Sequence, residues 1–467
     1  MSAPESPARG TTTIVWFRDD LRVTDHPALE AACRRGEVLA LFVLDEASAG
    51  VRPLGTASRW WLHGSLRSLR ASLEELGIPL VLRRGPAGAV LPEVLERTGA
   101  GGITWNRRYG GPELAVDAGV KQWCSEHGVE AHSFQASLLH EPWALRTGAG
   151  GPYKVFTPFW KALRALEIRQ PLPVPGAGRG ADRAVAACAA GEDPEAWGLL
   201  PEAGRAAGLA GTWTPGEAAA WERLDDFLDR AEDYDEGHDR PDREGTSRLS
   251  PHLRWGEISP FAVWDAAVRH RAEQGSSPGL EKFLTELGWR EFNWHLLHQE
   301  PQLHVRHVRP AFDAFPWRDP AEGTGFPLVD AGMRQMLTTG WMHNRVRMVA
   351  GSLLTKNLLV DWRSGEQWFW DHLVDADPAC GPGNWQWVAG SGADASPFFR
   401  IFNPLTQGRR FDPEARYIRR WVPELAGDSG VDPHEPGLLG PPVGYPAPVV
   451  DLPASRSRAL DAYASIR

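Results

Sequence analysis

An α/β amino-terminal domain with a parallel, doubly wound sheet, followed by an all-α carboxy-terminal domain, is the fold class this sequence predicts. Three observations predict it. Between residues 12 and 135, short β-rich runs alternate with amphipathic stretches. A Pro/Gly-rich segment follows, as connectors are. From Thr214 onward β-branched alternation stops and helical periodicity takes over. The expected units are 1–135 (α/β), 136–213 (connector) and 214–467 (helical), a division that suits 467 residues.

Taken in order, the strands are expected at 12–17, 38–45, 79–84, 103–109 and 129–134, each rich in Val, Leu, Ile or aromatic residues. Helical patterns fill the gaps at Pro27–Arg35, Ala57–Leu76, Ala87–Thr98 and Glu113–His127. Ligands of such sheets sit at the carboxyl ends of strands. Arg18-Asp19-Asp20-Leu21-Arg22 and Asn106-Arg107-Arg108-Tyr109 follow two strands directly, so they either line a crevice or form solvated loops. In the connector a short helix is expected from Pro158, and Gly176-Ala-Gly-Arg-Gly180 reads as plain linker, since it follows no strand. Further helices are expected at Glu217–Arg230, Pro260–Glu273, Leu280–Glu300, Gly332–Thr339, Met342–Leu359, Gly365–Leu373, Pro413–Arg420 and Ser455–Ala464.

Composition bounds the function. Hydrophobic content of 42% and charged content of 24% are those of a globular protein. The net charge of −10 argues against nonspecific coating of nucleic acid, yet permits a local basic groove. The four cysteines lack CxxC spacing, which fits a reducing cytoplasm. No apolar run suits a signal peptide or a membrane span, so no membrane association is expected. His295, His298, His304 and His307 have no nearby acid or Cys at ligand spacing, so no metal is expected.

Three constellations could carry chemistry. In Gly340–Trp387, Asn344, Arg347 and Met348 share one helix face, and Asp375, Asp377 and Trp385-Gln386-Trp387 follow downstream. An amide, a guanidinium, a thioether and indoles suit something flat, partly apolar and partly anionic. In 245–260, hydroxyls of Thr246, Ser247 and Ser250 flank Arg248, and Ser250-Pro251 reads as N-cap then N1, either an anion site or an ordinary capped helix. In 283–301, Glu286, Trp289, Arg290 and Asn293 form one stripe, a stacking wall for a base or a solvated face. Arg400, Arg409, Arg410, Arg416, Arg419 and Arg420 form the one dense basic patch, suited to phosphate.

The strings WFRDDLR, YKVFTPF, GTSRLSP, ELGWREF, GWMHNRVRM, DWRSGEQ, NWQW and FRIFNP stand in this order along the chain. Through them the chain resembles the photolyase/cryptochrome family over nearly its whole length, most closely the class I enzymes that repair cyclobutane pyrimidine dimers. The resemblance implies FAD in the helical domain and light-dependent repair of UV-damaged DNA by electron transfer from excited, reduced FAD. The alternative is a cryptochrome-type photoreceptor without repair. By position, Tyr234, Thr246, Ser247, Arg248, Leu249, Ser250, Arg347, Asp375, Ala376 and Asp377 match flavin-site residues, with Arg347 the ion-pair partner of an acid. Glu286, Trp289, Arg290, Asn293, Asn344, Arg345, Met348, Trp387 and Gln407 are assigned to the lesion and its DNA. Trp317, Trp362 and Trp385 match an electron relay, and Glu286 is the group expected to stabilise the dimer radical.

A second antenna chromophore, 8-hydroxy-5-deazaflavin or methenyltetrahydrofolate, is implied near Glu113. Asn344-Arg345 with Met348, and Gln386 between the tryptophans, match dimer photolyases. Two departures stand out: Gly381 occupies the place of an Asn that faces flavin N5, and the segment between Trp317 and Gly325 is shortened. A cytoplasmic monomer acting on the bacterial nucleoid is expected.

Overall fold

The computed structural model describes residues 10–318, 324–394, 399–427, 430–439 and 444–466. Most of the shortened segment after Trp317 lies outside them. Strands β1 (Gly10–Phe17), β2 (Val38–Leu44), β3 (Leu80–Arg84), β4 (Ala100–Asn106) and β5 (Glu130–Phe134) form one parallel sheet in the order β3-β2-β1-β4-β5. β2 is buried at every position, as a strand covered on both faces must be. The crossovers are α1 (Pro27–Arg35), α2 (Thr56–Glu75), α3 (Ala87–Thr98) and α4 (Gly111–Glu126). The winding reverses between β1 and β4, which opens a crevice beyond their carboxyl ends.

The connector is not a free linker. It forms α5 (Phe156–Arg164), α6 (Arg183–Cys188) and α7 (Ala203–Ala210). Arg179 and Ala181 bond both sides of Val38 at the start of β2. Gly180 touches the Gly77 carbonyl so closely that a Cβ would stand 1.7 Å from its oxygen. Gly180 serves this close backbone approach, which a side chain would block. Trp197, Leu199, Leu209 and Trp213 join the apolar core under the sheet.

The helical region comprises α8 (Glu217–Leu228), α9 (Tyr234–Gly237), α10 (Ser250–Arg254), α11 (Pro260–Gln274), α12 (Pro278–Gln299), α13 (Pro327–Thr339), α14 (Asn344–Ser352), α15 (Trp362–His372), α16 (Cys380–Ala389), α17 (Pro404–Phe411), α18 (Arg416–Trp421) and α19 (Leu452–Ala464). α14 runs on into a π-helical turn, Leu353–Asn357. Two helices correct the sequence expectation. Cys380–Gly383, whose glycines and proline read locally as a break, is the start of α16, and Pro404–Phe411 lies outside the expected helices. Pro382 is third in α16, where a missing N–H removes no intrahelical bond.

The two regions are locked together. Glu217 accepts the backbone N–H of Val23 and Thr24 at 2.7 and 2.9 Å, and Arg22 donates to the Gly256 carbonyl at 2.8 Å. Arg52 pairs with Glu366 through two bonds of 2.9 and 2.8 Å.

Candidate functional site: a cofactor cradle beside an aromatic wall

Asp375 is the centre of the site. It lies in the loop between α15 and α16 and is buried. Arg347, from α14, reaches its two oxygens at 3.1 and 3.0 Å, and its Nε donates to the Met342 carbonyl at 2.7 Å. The Ser250 hydroxyl donates to the same carboxylate at 2.7 Å. This corrects the expected capping role of Ser250. Leu249 holds the cap position, and the Ser250 hydroxyl goes to a charged acceptor, the stronger partner. Asp377 receives the N–H groups of Ala379 and Cys380 at 2.8 and 2.7 Å and so anchors the start of α16. The Ala376 carbonyl takes the Arg254 Nε–H at 2.7 Å.

The loop bearing Thr246, Ser247 and Leu249 carries strain. Arg248 sits at φ 52°, a left-handed conformation that costs a side-chain residue about 1–2 kcal/mol. Its guanidinium pairs with Glu244 and lies 5.3 Å from the Trp341 ring, while its Nε is buried without a partner. His343 accepts the Arg345 N–H on Nδ1, and burial pushes its pKa down to about 3. The neutral ring therefore carries its proton on Nε2, a buried donor with no partner. Tyr234, buried on α9, closes this side.

The aromatic wall comes from α12, α14 and α16, with α16 packed on both of the others. Glu286 pairs with Lys282 one turn earlier at 2.6 Å. Trp289, half-buried, stacks on Phe156 with ring centres 3.7 Å apart and meets Phe292 edge-on at 5.9 Å. Arg290 turns instead to the Ser137 carbonyl at 2.9 Å and to Glu291. Asn293 is buried against α16, where a Cβ on Gly383 would stand 2.1 Å from its Oδ1. The expected stripe is thus split: its outer half borders the site and its inner half packs helices. Asn344 is exposed, while Met348 and Trp387 are half-buried. Arg345 is held by Asp239, its Nε 3.1 Å away, and lies over Phe411. Gln407 has a buried Oε1 without a partner. Gln386 is fully buried and pins the loop before α13 through Val308, Leu303 and Arg306. No pattern in the sequence pointed to Asp239 or Phe156.

Trp362 is fully buried and Trp385 nearly so. Trp385 meets Phe369 edge-on at 5.0 Å. His307 stands between the other two indoles, parallel to Trp317 at 6.0 Å and edge-on to Trp362 at 6.1 Å. The sequence reading considered His307 only as a metal ligand. Gly381 faces Glu366, whose Oε1 would lie 3.4 Å from an added Cβ.

The crevice at the sheet's winding reversal is real. It is a cavity of about 810 Å³, counted to its open mouth, lined among others by Trp16, Arg18, Arg108, Glu113, Trp294 and Trp370. Arg18 is buried, bonded to Asp117 at 2.5 Å, with its pKa lowered by desolvation. Solvated loops are excluded here: Arg18, Asp20, Arg22 and Asn106 are all buried. Among the described residues, four buried N–H groups of the lining have no partner: the indoles of Trp16 and Trp294, and Nε of Arg18 and Arg108.

An α/β sheet joined to a helical region that carries an Arg–Asp pair and an aromatic wall defines a two-part protein with a candidate site in its helical half. Residues 13–176 match the family model described as DNA photolyase, and residues 283–465 match the FAD binding domain of DNA photolyase. The chain is 46% identical, over 97% of its length and 98% of the relative's, to a deoxyribodipyrimidine photo-lyase of Agrobacterium fabrum. It is 36% identical to cryptochrome-1 of Arabidopsis thaliana, over 97% of this chain and 70% of that one. It superposes with a TM-score of 0.91 on the crystal structure of a class III photolyase from Agrobacterium tumefaciens, at 44% identity, covering 100% and 99% of the two chains. The chain belongs to the DNA photolyase family, to which cryptochromes are also related.

Proposed function

We propose that this chain is a light-dependent lyase that repairs cyclobutane pyrimidine dimers in DNA. The observation that carries the reading is Asp375, which ties α10, α14 and the α15–α16 loop together, with α14 packed on the helix that bears Trp387. The residues fit FAD. Arg248 Nε and His343 Nε2 are buried donors that lack acceptors, which phosphates and ring carbonyls supply. Arg248, Ser247, Thr246 and Leu249 would hold the phosphates, and Tyr234, Arg347, Asp375, Ala376 and Asp377 the remainder. FAD, when bound and reduced, supplies one electron to the lesion on absorbing light.

The chain's own residues do the rest. Trp289 and Trp387 stack on the extruded bases, Asn344, Arg345 and Met348 border them, and Glu286 hydrogen-bonds them. Glu286 must release Lys282 to do so. Trp317, Trp362 and Trp385, with His307 between the first two and Phe369 against the third, carry electrons inward from the surface. The basic patch contributes phosphate contacts, although Arg409 and Arg416 spend their charge on Asp432, Glu435 and Glu414. Arg290 and Asn293 act by packing. On its 44% identity to a class III photolyase, we place the chain in that subclass in place of the class I suggested by its motif strings.

The antenna chromophore would occupy the open crevice, where the four unpartnered donors favour a flat ligand with an acceptor-rich rim. Both a deazaflavin and a folate have such a rim. We take residues 1–135 to bind it, 136–213 to brace it and 214–467 to hold FAD and DNA, in a cytoplasmic monomer.

The test is illumination of reduced, FAD-loaded protein with dimer-containing DNA. Restored bases support repair; intact dimers with flavin bound and reduced refute it. Gly381 favours a second reading, a photoreceptor, because its missing side chain leaves Glu366 as the nearest carboxylate at that spot.

A further inference from the structure

His307 stands between two indoles, parallel to Trp317 at 6.0 Å and edge-on to Trp362 at 6.1 Å. Its side chain is 1% exposed. Nδ1 lies 2.7 Å from Oδ1 of Asp313, whose own side chain is 70% exposed. The hydrogen bond from His307 is the largest cause that holds the Asp313 carboxyl below its ordinary range. An ionised carboxylate only accepts, so Nδ1 carries the proton and, in the neutral ring, Nε2 keeps its lone pair. Arg363 Nη2 lies farther from Nδ1, at 3.3 Å, and the same guanidinium donates to Asp361 at 2.7 Å. Asp313 and Arg363 are the charged groups facing the imidazole, with Arg306 near the Asp313 carboxylate.

Nε2 of His307 is buried without a partner among the described residues, and so is the indole N–H of Trp362, the first residue of α15. An acceptor lacking a donor and a donor lacking an acceptor thus sit on adjoining rings, and each is costly to bury alone. Trp317 differs, because its N–H goes to the Phe312 carbonyl at 3.3 Å, which is no base. Trp362 has no exposed surface, and the Arg363 guanidinium lies 5.6 Å from its ring centre. A positive charge on that indole is therefore disfavoured twice, by burial and by a neighbouring cation. An indole that has lost an electron is a far stronger acid than the intact ring, and losing the N–H proton removes the charge.

We propose that His307 is the proton acceptor of the electron relay and that Asp313 positions it. When Trp362 gives up one electron toward photo-excited, oxidised flavin, its indole proton passes to His307 Nε2, directly or through one water. The indole N–H bond breaks, an N–H bond forms on Nε2, and a neutral indole radical remains. The imidazolium so formed is stabilised by the Asp313 carboxylate, which faces solvent. When an outside reductant returns the electron, His307 returns the proton. The positive charge thus comes to rest on a surface His–Asp pair instead of a buried indole, which slows the electron's return. The inference rests on the relay in the repair reading.

Flash photolysis of the oxidised, FAD-loaded protein without DNA tests this, because cationic and neutral indole radicals absorb at different wavelengths. In wild-type protein the cation should give way to the neutral radical at a rate that buffer concentration leaves unchanged and deuterium oxide slows. His307→Phe, which keeps an aromatic ring, should lengthen the life of the cation about a hundredfold. Asp313→Asn changes an exposed side chain, so it spares the fold, and should lengthen that life about tenfold. A cation that persists in wild-type protein, a decay set by buffer concentration, or wild-type decay in either variant would overturn the role of His307. An undiminished radical signal in Trp362→Phe, or no indole radical at all in wild-type protein, would overturn the relay itself.

Discussion

Asp375 joins three segments that meet nowhere else in sequence, so its loss is felt by all three. Asp375→Asn leaves the Arg347 guanidinium without its counter-charge, at a cost of about 3 kcal/mol. We expect that variant to purify with little flavin, which the visible absorption spectrum reads directly. Glu286 is different, since it is half-exposed and, among the described residues, paired only with Lys282. Glu286→Gln should keep dimer affinity within about threefold and lower repair per absorbed photon about tenfold. Equal repair by both proteins would remove Glu286 from the chemistry.

Glu291 titrates out of sight of the site. It is buried beneath the Leu139 N–H, and burial lifts its pKa from 4.5 to about 8. Between those values the folded protein keeps a proton that the unfolded chain has released. Its contribution to stability therefore falls as pH rises from 4.5 to 8. Glu291→Gln should flatten that slope and melt higher than wild type at pH 8.5. Parallel melting curves from pH 5 to pH 9 would contradict this.

At the scale of elements, the strands and long helices were legible because their periodicity is strong. β2 is an unbroken apolar run, and Ser277 caps α12 through the Leu280 N–H at 3.1 Å. α16 was not legible. Cys380-Gly-Pro-Gly383 scores as a breaker, yet Pro382 lies in the first turn and Gly383 is demanded by Asn293 on a neighbouring helix. That second reason is tertiary and leaves no local trace. Gly383→Ala, otherwise helix-favouring, should cost about 2 kcal/mol by overpacking, seen as a lowered urea midpoint. The site was legible as a residue list, since its strings are long. Its wiring was not, because whether Arg290 meets DNA or Ser137, or Ser250 caps a helix or holds Asp375, depends on partners more than a hundred residues away.

Across the whole molecule, a net charge of −10 coexists with a basic patch, so DNA binding must be local and sensitive to salt. If four phosphates are contacted, raising salt from 50 to 200 mM should weaken dimer binding about a hundredfold. A response of threefold or less would argue that shape and stacking dominate. The path of residues 171–213 sets a limit of another kind. Cutting after β5 would strip the edge contacts from Val38 and uncover the core that Trp197, Leu199, Leu209 and Trp213 complete. A portion grafted onto another protein therefore has to run at least to residue 213, and one meant to hold a light-gathering pigment must also bring Trp294 and Trp370, which line the crevice. A chimaera joined at 135 would be born with its floor missing.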